Sequence, residues 1–144
     1  MNPQTLKTGT GIAISVSVKG EKEIQDRLHK TIKKLPEDAT VGCLRAGMVF
    51  ESRAKWYASG NAGGPNVDTG FLRNSITTTE EPDGASVAPH ADYAAFVEFG
   101  VGLKPNPRPF MRPAYEDEYD NAMKVLEDYV GRRVSINFGQ GNAI

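Results

Sequence analysis

The chain has 144 residues, 17 basic and 18 acidic, for a formal charge of -1. That is the length of one ordinary domain, and the balance excludes a bulk electrostatic pull toward nucleic acid or membrane. Hydrophobic residues at 39% and charged residues at 24% are globular proportions, which exclude wholesale disorder.

The opening MNPQTLKTGTG lacks the apolar core of a signal peptide, and no stretch nears the ~20 apolar residues of a membrane span. The single cysteine, Cys43, allows no internal disulfide and suits a reducing cytoplasm. A soluble product made in the cytoplasm is the expectation. Residues 1–10 read as a flexible lead-in, 11–131 as one α+β domain, and 132–144 as a loose, glycine-rich tail.

In Gly11 to Val18, Ile12, Ile14, Val16 and Val18 alternate with small residues, the period of a half-buried strand facing the core. The period then changes. Ile24, Leu28, Ile32 and Leu35 fall at offsets of four, four and three, one face of a helix from Glu21 to Leu35 that Pro36 should end. A second helix is expected from about Glu37 to Ser59. Ala39, Cys43, Ala46, Phe50, Ala54 and Tyr57 share its inner face, and Gly42, Ala46 and Gly47 permit close approach of another element.

GNAGGPNVD, from Gly60 to Asp68, is a loop by composition. Ser75 to Thr79 is β-prone, and the turn signal EEPDG returns it as a hairpin strand near Ala85 to Ala88. ADYAAFVEFG, Ala91 to Gly100, is dense in apolar residues and reads as a short helix or turn entering an extended segment. Pro105, Pro107 and Pro109 stiffen that segment. A final helix should start near Pro113, with Glu116, Asp117 and Glu118 at its positive end, and should close at Gly131. Val134 to Phe138 has strand propensity. The sum is an α+β fold, a small and mostly antiparallel sheet packed with about three helices, one long and central.

The sequence offers little catalytic chemistry. His29, His90 and Cys43 share no metal-ligand spacing, so no metal site is expected. Ser75, His90 and Asp92 lack a nucleophile elbow and a marked oxyanion loop. Gly9 and Gly11 precede a strand instead of a helix, and Gly60, Gly63 and Gly64 lack a P-loop lysine. Glu80–Glu81 and Glu116–Asp117–Glu118 read as a turn and a solvated helix start. Lys30, Lys33, Lys34, Arg132 and Arg133 read as solvated cations, although phosphates could attract them.

Two segments are odd for a plain core: DTGFLRNSI, Asp68 to Ile76, and YAAFVEFGVGLKPNPRPFMRP, Tyr93 to Pro113. Glu98 lies between Val97 and Phe99, so its carboxylate must be paired or solvated. Arg73 is the candidate partner; the alternative is an exposed edge.

DTGFLRNSI resembles the Asp-Thr-Gly-x-Leu-Arg-x-Ser-Ile signature of the tail-completion, or head–tail joining, tail-component family of long-tailed bacteriophages. YAAFVEFGVG followed by PRPFMRPA is similar to that family's second segment, and the order and separation of the two also match, as does the preceding helix pair. The resemblance spans about Glu21 to Val130. Val101 stands where the family often has threonine, and the linker Leu103 to Pro107 is somewhat longer.

The resemblance implies a structural virion protein of the neck or upper tail. It implies a homo-oligomeric ring, usually of six copies, between the tail tube and the head connector. The implied partners are neighbouring neck, connector and tail-tube proteins, with DNA at most passing through the lumen. No cofactor, catalytic residue, metal or membrane contact is implied. The motif positions are Asp68, Gly70, Leu72, Arg73, Tyr93, Glu98, Phe99, Gly100, Arg108, Phe110 and Arg112, expected to hold neighbouring copies or to brace the fold. The alternatives are a head-closure or tail-terminator ring of the same particle and, further off, a small DNA-binding module.

Overall fold

The computed structural model describes residues 4–7, 13–16, 20–101 and 106–139. Among these, β1 (Gln4–Lys7) pairs antiparallel with β2 (Ala13–Val16). Helix α1 (Glu21–Tyr57) follows, then a 3-10 turn at Asn61–Gly63 and the short helix α2 (Phe71–Asn74). Strands β3 (Ile76–Glu81) and β4 (Gly84–Pro89) form a second antiparallel pair. Helices α3 (Ala94–Phe99) and α4 (Met111–Gly139) complete an α+β fold. β2 lies inside the strand read from the sequence. Ile12 and Val18 lie outside the described residues. β1 falls in the lead-in 1–10, where no strand signal was read.

Two helix boundaries differ from expectation. Pro36 does not separate two helices; it sits inside α1, which runs unbroken for 37 residues. A proline removes one backbone donor, here the N–H that would reach the Ile32 carbonyl. Tertiary packing overrides that cost, because α4 lies along α1 on both sides of the proline: before it, Arg27, Lys30, Lys33 and Lys34 line one cleft with Ile136 and Asn137 of α4. Arg133 Nε donates to Asp38 Oδ1 at 2.8 Å, two residues past the proline, and Arg53 Nη2 reaches Asp117 Oδ2 at 2.6 Å further on.

The same packing carries α4 through Gly131, so 132–139 is helix instead of loose tail or strand. An interior glycine costs only ~1 kcal/mol against alanine. The Arg133–Asp38 pair and half-buried Val130 and Val134 lie on the continuing turns. Residues 140–144 lie outside the described residues.

The small residues of α1 serve two neighbours. A Cβ on Gly42 would come within 2.7 Å of Leu126 of α4, and one on Gly47 within 2.6 Å of Thr78 of the β3–β4 hairpin. Glu51 fastens that hairpin: its Oε2 accepts the Thr78 N–H at 2.8 Å and the Thr78 hydroxyl at 2.6 Å, and its Oε1 takes Lys55 Nζ at 2.6 Å. Burial pushes the Glu51 pKa up, but the Lys55 and Thr78 hydrogen bonds and the Lys55 charge bring it below the ordinary carboxylate range.

The core sits at one end of the helix pair. Ala54 and Tyr57 of α1, and Ala58 just past it, meet Leu72, Ile76, Ala91, Ala94, Phe110 and Ala114 there.

Candidate functional site

Both unusual segments converge on this end. In the first, Gly70 takes φ +74 to enter α2, where the Thr69 hydroxyl accepts the Phe71 N–H at 3.3 Å. Leu72 is thereby turned into the core and Phe71 out of it. The Ser75 hydroxyl donates to the Leu72 carbonyl at 2.8 Å and accepts the Ala91 N–H at 3.2 Å, tying the first segment to the second. The His90 ring bonds to the Thr77 hydroxyl at 2.9 Å. Ser75 and His90 therefore spend their side chains on separate structural contacts, and the paper triad with Asp92 is not assembled. No cluster of three or more histidine, cysteine or acidic side chains fit to hold a metal occurs among the described residues.

The second segment is organised by Glu98, which is buried. Its Oε2 accepts the N–H of Phe110 at 2.7 Å and of Met111 at 3.0 Å, and its Oε1 that of Arg112 at 3.0 Å. A helix start leaves four N–H groups without a partner inside the helix. Here three of them bind one carboxylate, and the fourth position is Pro113, which has no N–H. The accounting is complete, and the negative charge lies at the positive end of the α4 dipole, whose own first turn carries no acid.

Glu98 is thus paired, but not with Arg73, as expected from the sequence; Arg73 is exposed, and its Nε donates to Asn74 Oδ1 at 3.2 Å. The expected start at Pro113 is also corrected to Met111. Asp117 lies past the first turn of α4 and accepts hydrogen bonds from Tyr57 Oη at 2.7 Å and from Arg53. The Tyr57 hydrogen bond, then the Arg53 one, lowers the Asp117 pKa.

Gly100 closes the turn between the two parts of the segment. It has φ +64, and a Cβ there would collide with the Pro107 nitrogen. The Arg108 N–H reaches the Val97 carbonyl at 2.9 Å. Phe110 is 0% exposed and fills the core, with no surface left for a neighbour.

The motif positions therefore divide. Gly70, Leu72, Glu98, Gly100 and Phe110 are buried, Arg108 is half-buried, and Asp68, Arg73, Tyr93, Phe99 and Arg112 are exposed.

What these buried residues hold up is an inverted helix. On α3 and its lead-in, Ala91, Ala94 and Glu98 face inward. Tyr93, Phe96 and Phe99, spaced by three, run along the outer side with exposures of 43%, 58% and 60%. Phe71, 57% exposed, extends the ridge onto α2, its ring centroid 6.3 Å from that of Tyr93. One cleft beside the ridge is lined by Pro65, Val67, Phe71, Tyr93 and Val97. Another is lined by Ala91, Ala95, Phe99, Phe110 and Arg112. Phe71 and Phe96 were not singled out in the sequence; the three-residue spacing of Tyr93, Phe96 and Phe99 was the signal available.

A family model described as "Bacteriophage HK97-gp10, putative tail-component" matches residues 13–100, more than half of the chain and both halves of the ridge. The chain belongs to that family. Comparison with curated proteins and with solved structures returned no match. As an HK97-gp10-like tail component, the chain has a structural, tail-related role, and its motif reads physically as a brace for an aromatic face. No described helix is long and apolar enough to cross a membrane.

Proposed function

We propose that this tail component is the subunit of a homo-oligomeric ring at the phage neck, completing the tail and joining the tail tube to the head connector, with six copies the expected number. The observation that carries this reading is the aromatic ridge, whose buried supports are motif residues and whose exposed crest has no task inside one copy. A heterologous contact closes into a ring when its rotation fits, and aromatic side chains dominate the well-packed centres of such contacts.

The magnitude suits assembly in place. Each large aromatic side chain has ~150–250 Å² to bury. Four of them about half exposed offer roughly 400 Å², or about 10 kcal/mol gross at ~25 cal/mol per Å². Losing translational and rotational freedom costs ~4–15 kcal/mol. One contact alone is therefore weak, and the tail end supplies the concentration and the template.

The test is Phe96→Asp with Phe99→Asp in the phage. Separated heads and tails in electron micrographs, with folded protein in the lysate, are expected; joined, infectious particles would refute the reading.

A further inference from the structure

The N-terminal half of α1 carries a charge pattern that costs the single copy stability. Arg27, Lys30, Lys33 and Lys34 line one cleft with Ile136 and Asn137 of α4, and no carboxylate lines it. The pairs Arg27–Lys30, Lys30–Lys33 and Lys30–Lys34 are spaced by three, three and four residues, so like charges face one another on the helix surface and repel. Glu23, Asp26 and Glu37 lie within a turn, yet none of the four cations makes an ion pair among the described residues. Buried Asp38 is taken by Arg133 at 2.8 Å.

The same chain carries an acidic counterpart. The turn joining β3 and β4 presents Glu80, Glu81 and Asp83, all exposed, around Pro82. Glu81 accepts the Ser86 hydroxyl at 2.9 Å, and among the described residues no cation pairs with any of the three carboxylates. This turn rests on a different side of α1, since a Cβ on Gly84 would touch Cys43 Sγ at 3.9 Å. At 3.6 residues per turn, Lys34 lies ~180° round the helix from Cys43, Arg27 ~160° and Lys30 ~140°. A copy therefore cannot lay its own turn in its own cleft. Two complementary surfaces on opposite sides of one subunit are the layout of a heterologous contact, which repeats from copy to copy round a ring.

We infer that the cationic cleft of one copy receives the Glu80–Asp83 turn of the next. Each copy gives one acidic turn and takes one, so four repelling cations gain three carboxylates, and Ile136 offers Pro82 an apolar contact. Charge complementarity of this kind fixes register and suppresses wrong pairings more than it adds affinity. It thus complements the aromatic ridge at the other end of α1. Duplex DNA is the less suited occupant, because a chain of net charge -1 has no overall pull toward phosphates. The inference rests on the ring reading in requiring adjoining copies, and names one surface by which they meet.

The experiment mixes equal parts of isotope-labelled and unlabelled protein at millimolar concentration and low salt. A water-soluble carbodiimide then joins amines to carboxylates in contact, and the digest is read by mass spectrometry. Mixed-label peptide pairs joining Lys30, Lys33 or Lys34 to Glu80, Glu81 or Asp83 are expected, and high salt should suppress them. Each exposed ion pair shifts an association constant by ~1.5–5-fold, so Lys30→Glu with Lys34→Glu, which turns attraction into repulsion, should weaken association at least ~tenfold in sedimentation equilibrium. Glu80→Lys with Asp83→Lys should do the same. All four changes in one chain exchange the signs and should recover at least ~fivefold of the loss. The four positions are exposed, so the melting temperatures should stay close to the original.

Copies that associate and link through other residues, unmoved by either charge reversal, would overturn this inference and leave the ring reading standing. No link between copies at millimolar concentration would also overturn it, while the ring reading answers separately to the Phe96→Asp, Phe99→Asp phage. Links confined to single-label pairs would seat the turn in its own copy and overturn the contact between copies. Salt-sensitive DNA binding lost in the Lys30→Glu, Lys34→Glu variant, without the link, would assign the cleft to nucleic acid instead.

Discussion

Replacing Glu98 with glutamine tests the brace at its most specific point. The side chain keeps its volume but has one carbonyl oxygen where the carboxylate had two acceptors. That oxygen can serve Phe110 and Met111, leaving the amide NH₂ facing the Arg112 N–H, donor against donor. Hydrogen bonds to a charged group contribute ~1.5–3 kcal/mol each, and neutral ones ~0.5–1.5. Losing one bond and weakening two, together with ~0.3–1 kcal/mol of charge–dipole interaction, gives a loss of about 3 kcal/mol.

Against a typical 5–15 kcal/mol domain stability the protein stays folded, and the midpoint should drop by about 10 °C. Urea unfolding of the purified variant beside Glu116→Gln, an exposed acid nearby, isolates the effect; the control should move by less than ~0.5 kcal/mol. Adding Arg73→Lys to Glu98→Gln should show additivity. A Glu98→Gln loss under ~0.5 kcal/mol, or coupling to Arg73 above ~1 kcal/mol, would refute the capping account.

Gly100→Ala should lose about 3 kcal/mol or more in the same assay, combining the left-handed backbone with a collision at Pro107. Gly63→Ala, with φ +82 but no atom within 4 Å, should lose only ~1 kcal/mol. Asp117 has a folded-state pKa lowered by Tyr57 and Arg53. Its contribution is full above the unfolded value of ~3.9 and fades as pH falls through the folded one. Asp117→Asn should therefore flatten the acid limb of stability against pH below about pH 4 while leaving the limb near neutrality unchanged in slope. Pro36→Ala should stabilise by about 2 kcal/mol, the ~3 kcal/mol helix-interior penalty of proline less the ~1 kcal/mol it gives back by stiffening the unfolded chain, because position 36 is exposed helix interior that lacks one backbone donor.

Local signals were legible where one element determined itself. EEPDG marked the turn of the β3–β4 hairpin, and the small residues Gly42 and Gly47 marked where α4 and that hairpin approach α1. Signals that depend on a distant neighbour were not. Pro36 and Gly131 both read as helix ends, since nothing near them in the chain shows that α1 and α4 support each other across the pair.

The need of Glu98 for a partner was plain from its apolar neighbours. Its partners were not, because they are backbone groups brought close by the turn at Gly100. With α4 starting at Met111 its first turn carries no acid, whereas a start read at Pro113 puts Glu116 to Glu118 there and hides the need for an anion from elsewhere. The aromatic ridge was the hardest feature to see. Hydrophobic density in ADYAAFVEFG reads as core, whereas the alanines face inward and the large rings outward.

A high-resolution map of the phage particle that carries this chain tests the central claim most directly. The account predicts a ring of identical copies at the junction of head and tail, with Phe71, Tyr93, Phe96 and Phe99 of each copy covered by an adjoining chain. Copies elsewhere in the particle, or at the junction with those four side chains open to water, would contradict it.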